Sequence, residues 1–174
     1  MKQTRLILVG GFLGAGKTTL LWETAVRLMN KGLRVGLITN DQAPELVDSE
    51  LLKLSDLRVA EVSGSCFCCN FNGFTDAIKE IRAEASADVI IAEPVGSCTD
   101  LSATIMQPLK QYWNTELKIS PLTVLADPNR LVSILNGGNG GLHPDAAYIY
   151  KKQLEESDII LLSKSDVLKR EETA

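Results

Sequence analysis

Lys17 and Thr18, set directly behind a run of glycines, are the residues of this chain best suited to hold a phosphate. Residues 11–18 read Gly-Phe-Leu-Gly-Ala-Gly-Lys-Thr and fit the pattern Gly-x-x-x-x-Gly-Lys-Ser/Thr. Glycine is needed there because backbone N–H groups must curl around an anion with no Cβ in the way. Gly11, Gly14, Ala15 and Gly16 supply that backbone. A helix opening at Lys17 aims its positive dipole end, with Thr18 and Thr19, at the same anion. Lys17 would reach the β- and γ-phosphates of a nucleoside triphosphate, and the Thr18 hydroxyl would hold Mg²⁺.

Such a site also needs an acidic group for Mg²⁺ and a backbone contact to the γ-phosphate. Glu93 ends an apolar run and opens Glu93-Pro94-Val95-Gly96, which puts a carboxylate on the binding edge of an α/β sheet. Gly96 can present its N–H to the γ-phosphate and shift when that group leaves. Ser163-Lys164-Ser165-Asp166 follows the last apolar run. In P-loop GTPases Asn-Lys-x-Asp stands at that place; its aspartate accepts from guanine N1–H and the 2-amino group, and the lysine stem covers the base. Ser163 replaces the asparagine, so one contact differs, but an unpaired carboxylate at Asp166 would still penalise adenine. GTP is the expected nucleotide. Asp41 and Asp48 follow the second apolar run and could reach Mg²⁺ through water, or serve equally as a turn residue and a helix cap.

Cys66-Phe67-Cys68-Cys69 is a second concentration of chemistry. Thiolates suit Zn²⁺, Co²⁺ or Cu⁺ and are poor ligands for Mg²⁺. Sulfurs two residues apart can face one ion, whereas adjacent Cys68 and Cys69 do so only if the loop distorts. Two sulfurs, Cys66 and Cys68, are therefore expected from the loop, with the rest of the shell from elsewhere or from a second copy of the chain. Among the remaining residues only His143 and the isolated Cys98 are comparable ligands, and no second close-spaced pair exists. An incomplete shell suits exchangeable binding. Buried small residues beside Phe67 and Phe71, or a redox pair, are the competing readings. Cys98, two residues past Gly96, reads as a buried thiol or, in the alternative, as a sulfur that approaches the metal through the Mg²⁺ region, and His143 reads as a helix-entry residue.

These groups can meet only if strand ends share an edge. Continuous apolar runs at 5–10, 34–39, 57–62, 88–93, 119–126 and 158–163 predict strands buried on both faces. Helix patterns fall at 17–31, 43–55, 74–86, 100–116, 128–136 and 145–156. Asp127-Pro128 and Pro144 mark helix starts. The alternation predicts a doubly wound, mostly parallel α/β sheet with helices on both faces. With 174 residues, 45% hydrophobic and 23% charged, one compact domain is expected. A net charge of −4 without a long basic run argues against nucleic acid as the main partner. No apolar stretch reaches membrane-spanning length and the N-terminus shows no signal-peptide pattern, so a cytoplasmic location with no membrane partner is expected.

Residues 10–20, the Cys-x-Cys-Cys loop at 66–69, Glu93-Pro94-Val95-Gly96 and Ser163-Lys164-Ser165-Asp166 together resemble the CobW-type metal-handling GTPases, relatives of the hydrogenase and urease nickel-insertion GTPases. The resemblance implies a P-loop GTPase domain of the SIMIBI-like kind over 1–174. It implies GTP hydrolysis coupled to binding and delivery of a transition metal such as Zn²⁺ or Co²⁺, and turnover is expected to be slow because no arginine finger is evident. A client metalloprotein or metal-inserting enzyme would receive the metal, and a homodimer could complete its shell. Phosphate contacts map to Gly14, Gly16, Lys17, Thr18 and Thr19, metal to Cys66, Cys68 and Cys69, and the acidic Mg²⁺ role to Glu93. Asn40-Asp41-Gln42-Ala43 departs from the family's Asn-Glu-Phe-Gly, and Pro94-Val95-Gly96 from its Thr/Ser-x-Gly. The chain is expected to stop just after the guanine tetrad, without the family's smaller C-terminal domain. A P-loop small-molecule kinase and a non-catalytic, nucleotide-gated redox or interaction module are the alternatives.

Overall fold

The computed structural model describes residues 2–40 and 57–165. The expected helix at 43–55, Asp41, Asp48 and Asp166 lie outside the described residues. The elements are β1 (Thr4–Gly11), α1 (Lys17–Met29), β2 (Val35–Thr39), β3 (Leu57–Glu61), α2 (Phe71–Ala85) and β4 (Val89–Glu93). They continue with α3 (Gln107–Tyr112), β5 (Leu117–Ile119), β6 (Thr123–Ala126), α4 (Pro128–Leu135), α5 (Pro144–Glu155) and β7 (Ile159–Leu162). The strands pair in parallel in the order β3-β2-β4-β1-β6-β7, with β5 also on β1. Parallel pairing places every strand's carboxyl end on one edge, where the phosphate loop, the cysteine loop and the Glu93 turn all emerge.

The period of two along each strand sorts the core into layers. Leu6 and Leu8 of β1, Ile38 of β2 and Ile90 and Ala92 of β4 pack with Phe74, Ile78 and Ile81 of α2. Val9, Leu37, Val89 and Ile91 face the other way, onto Leu21, Trp22 and Ala25 of α1. Tyr150 and Ala147 of α5 close a smaller cluster with Ile134 of α4. Helix α2 lies so close to the sheet that any Cβ at Gly36 would collide with Ile81.

Three expectations need correction. The run 119–126 is two strands, because Pro121 has no N–H to give to the ladder. β5 pairs with Thr4–Leu6 of β1, and β6 with Val9–Gly11. The helix expected over 100–116 begins as a π-helical turn at Ser102–Met106 and ends at Tyr112. Pro108 explains the wide turn: its ring would press on the Thr104 carbonyl in a regular helix. Helix α2 begins earlier than expected, at Phe71, where the Asn70 side chain accepts from the Gly73 N–H.

Candidate functional site

The phosphate loop connects β1 to α1 in a tight curl in which Gly14 and Gly16 have φ of 76° and 92°, a region L side chains avoid. Lys17 is only 6% exposed, and its Nζ sits 3.4 Å from the Phe12 carbonyl and 3.8 Å from Glu93 Oε1. The Thr18 hydroxyl donates to the Glu93 carboxylate, 3.1 Å from Oε2 and 3.2 Å from Oε1. Burial pulls the Lys17 ammonium below its ordinary pKa despite the nearby Glu93 charge. Burial likewise pushes the Glu93 carboxyl up, against Lys17 and Thr18. Both groups are thus held partly desolvated, a state that an incoming phosphate and a hard cation would relieve. The Thr18 hydroxyl and Glu93 carboxylate are hard oxygen donors and fit Mg²⁺. Gly96 lies close against the phosphate loop: a Cβ there would come within 3.0 Å of the Leu13 nitrogen and 3.2 Å of Lys17 Nζ.

These residues line one cleft of about 740 Å³. Gly14, Gly16, Lys17, Thr18, Thr19, Glu93 and Gly96 line it. Gly64, Ser65 and Cys66 of the cysteine loop form another part of its lining, beside Thr39 and Asn40 at the end of β2. Gly11 and Ala15 belong to the loop backbone without facing the cleft; a Cβ on Gly11 would strike the Leu125 carbonyl of β6 at 2.5 Å. Ser163 and Lys164 lie farther along the same edge. Ser163 donates to the Ala126 carbonyl, and Lys164 Nζ reaches Asp127 Oδ2 at 3.0 Å. The other oxygen of Asp127 caps α4, accepting from Asn129 and Arg130 N–H. His143 caps α5 through Nδ1, consistent with a helix-entry role.

The cysteine loop is a helical turn rather than an extended strand. Both Cys69 N–H and Asn70 N–H donate to the Cys66 carbonyl, at 3.0 and 2.9 Å. That turn brings residues three apart to one side, so Cys69 joins Cys66 and Cys68, and the three sulfurs lie within 4.8 Å of one another. Adjacency of Cys68 and Cys69 is therefore no obstacle. In a tetrahedral thiolate site, metal–sulfur bonds of about 2.3 Å set sulfurs about 3.8 Å apart, so one soft ion fits this set. Cys66 Sγ and Cys68 Sγ are 2.8 Å apart. Burial alone would raise the Cys66 thiol, but hydrogen bonds from Cys68 and Cys69 outweigh it and bring it down to about 7. Burial and its Cys66 neighbour push Cys68 up to about 11. Phe67 points the other way, fully buried, and stacks on Phe74 at 4.4 Å.

Two residues to which the sequence reading gave no role shape the site. Asn40 Nδ2 donates to the carbonyls of Val62 and Ser65, tying the end of β2 to the cysteine loop. Gln153 of α5, 2% exposed, donates through Nε2 to the carbonyls of Gly96 and Cys98 at 3.0 and 2.9 Å. A glutamine on the buried stripe that also carries Ala147 and Tyr150 was the available signal.

Residues 5–174 match the CobW/HypB/UreG nucleotide-binding domain. The chain is 25% identical over 167 residues to the zinc chaperone YeiR of Escherichia coli, covering 94% of this chain and 47% of that protein. It is 26% identical over 201 residues to the zinc chaperone CobW of Pseudomonas aeruginosa, covering 96% of this chain and 50% of that protein. It thus spans about half the length of these curated relatives. Zn(II)-bound YjiA GTPase from E. coli superposes with a TM-score of 0.66 at 20% identity, over 99% of this chain and 53% of that one, a likeness of fold. The parallel sheet is that of P-loop nucleotide-binding proteins, and by its sequence the chain belongs to the CobW/HypB/UreG nucleotide-binding domain family.

Proposed function

We propose that this chain binds and slowly hydrolyses GTP, and that the nucleotide state sets the affinity of the Cys66–Cys69 loop for a transition-metal cargo, Zn²⁺ or Co²⁺. A cytoplasmic client metalloprotein or metal-inserting enzyme would receive the ion. One observation carries the reading: Cys66 lines the same cleft as Lys17, Thr18, Glu93 and Gly96. The naming of relatives as zinc chaperones supports it.

In this reading the loop amides and Lys17 would hold the triphosphate, and Thr18 and Glu93 would hold Mg²⁺, which would supply charge to offset that of the phosphates. The Glu93 carboxylate also orients the attacking water. Gly96 gives its N–H to the γ-phosphate and relaxes once phosphate leaves. Asn40 carries any movement at the end of β2 into the cysteine loop, because its amide bonds both sides of that loop's start. Slow turnover is expected because Arg130, which reaches the phosphate loop, is engaged there: its Nη1 donates to the Leu13 carbonyl at 3.2 Å, with its guanidinium over Phe12.

The test is an anaerobic Co²⁺ titration with a non-hydrolysable GTP analogue or with GDP, followed by thiolate charge-transfer absorption. The expected outcome is binding roughly 5–150-fold tighter with the analogue, the usual span of an allosteric coupling of about 1–3 kcal/mol. Equal affinities reject the coupling.

A further inference from the structure

Cys98 is a fourth sulfur that neither the family motif nor the three-cysteine cluster includes. It sits two residues past Gly96, on the turn that follows β4. It is 6% exposed and belongs to the core cluster against which Cys66 and Cys68 pack. Its chain neighbours Gly96 and Ser97 line the same cleft as Cys66, and its thiol, pushed up by burial, is near enough to Cys66 and Cys68 for their charges to push it up further, although it stands outside the three sulfurs that lie within 4.8 Å of one another.

The strand order explains the meeting. β3 and β4 flank β2, so the loop after β3 must bend across the end of β2 to reach the turn after β4. Asn40 fixes that crossing from below through Val62 and Ser65. The receiving turn is fixed as well. Cys98 N–H donates to the Val95 carbonyl at 3.0 Å, and Gln153 holds the Gly96 and Cys98 carbonyls.

We infer that Cys98 is a direct ligand of the transition-metal cargo, completing a four-sulfur site with Cys66, Cys68 and Cys69. The inference rests on the metal-handling reading above. Four thiolates around one ion form the closed tetrahedral set that Zn²⁺ and Co²⁺ accept. The consequence is mechanical. A contact from Gly96 to the γ-phosphate and a ligand at Cys98 are two residues apart, so one rigid turn would carry both. Loss of phosphate then displaces a metal ligand directly.

Zinc X-ray absorption of the wild-type protein with the GTP analogue counts the ligands. Four sulfurs at about 2.3 Å are expected. Three sulfurs with one nitrogen or oxygen overturn the inference and leave the metal-handling reading standing. An absence of any zinc–sulfur shell overturns both. In parallel, Co²⁺ is titrated into wild type, Cys98→Ala and Cys98→Ser, each verified as folded by a cooperative thermal transition; serine preserves volume if alanine does not fold. The charge-transfer band is expected to fall by about a quarter in the variants, one of four bonds to sulfur. The gap in affinity between the analogue and GDP is expected to shrink severalfold with it. A buried thiol that only fills the core would leave both unchanged, and that result overturns the inference.

Discussion

At the scale of single residues, the two edges of the sheet are charged for different purposes. Lys17 and Glu93, at the carboxyl edge, are both held away from their ordinary pKa values by burial, a cost in stability accepted where a ligand is to bind. Asp88, where β4 begins at the opposite edge, is the reverse case. Arg34 grips its carboxylate through Nε and Nη2 at 3.1 Å, the Arg34 backbone N–H adds a bond at 3.0 Å, and Lys2 adds one at 2.8 Å. The Arg34 guanidinium, with Lys2, holds this carboxyl well below the usual range. A depressed carboxylate contributes stability that is fully present above its unfolded pKa, about 3.9, and is lost as pH falls toward the folded value. Arg34 and Lys2 are solvent-exposed, so Asp88→Asn is expected to cost about 1 kcal/mol, or roughly 2–4 °C in melting temperature, at pH 7. The gap between variant and wild type should narrow at pH 3. A gap that is constant or widens toward acid would show that the ion pairs do not carry the effect. Because the edge is remote from the cleft, guanine-nucleotide affinity at pH 7 should not change.

At the scale of elements, the cysteine loop depends on what lies beneath it. Phe67 is the one apolar side chain inside Cys66–Cys69, and its stacking on Phe74 clamps the turn to α2, whose first residues Asn70 caps. Phe67→Leu keeps an apolar filling but forfeits the ring pair, a loss of about 0.5–1.5 kcal/mol. The expected result is a folded protein with at least severalfold weaker Co²⁺ binding and an unchanged number of sulfur ligands by X-ray absorption. Unaltered affinity would mean that the sulfurs are positioned without this clamp. The sequence showed the loop and its thiols but not this support, since a stacked pair across a loop and a helix leaves no periodic trace. Strands β1, β2 and β4 were legible because burial on both faces demands continuous apolar runs. The break between β5 and β6 was not read, although Pro121 marks it, because an apolar run is blind to hydrogen-bond pairing. The approach of Cys98 to the metal loop was legible only as the alternative to a buried thiol, because it depends on β2 lying between β3 and β4, which only the strand order reveals.

At the scale of the molecule, the carboxyl edge collects four separate segments around one cleft: the phosphate loop, the end of β2, the cysteine loop and the Glu93 turn. Asn40 links the second to the third, and Gln153 links the fourth to α5. Under the proposed coupling, these ties would help carry the effect of one ligand to the other. Reciprocity then gives a quantitative prediction. Whatever factor the GTP analogue adds to Zn²⁺ affinity, Zn²⁺ must add to affinity for the analogue, because the coupling free energy belongs to the pair. Thermal unfolding reads the same quantity a second way. A ligand at a hundred times its dissociation constant adds about 2.7 kcal/mol to stability. At fixed free concentrations, each a hundred times the dissociation constant for the otherwise unliganded protein, analogue and Zn²⁺ together should exceed the sum of their separate effects by the coupling, about 1–3 kcal/mol. A strictly additive pair of stabilisations would mean that nucleotide and metal occupy neighbouring but independent sites, and the shared cleft would then be a matter of position alone.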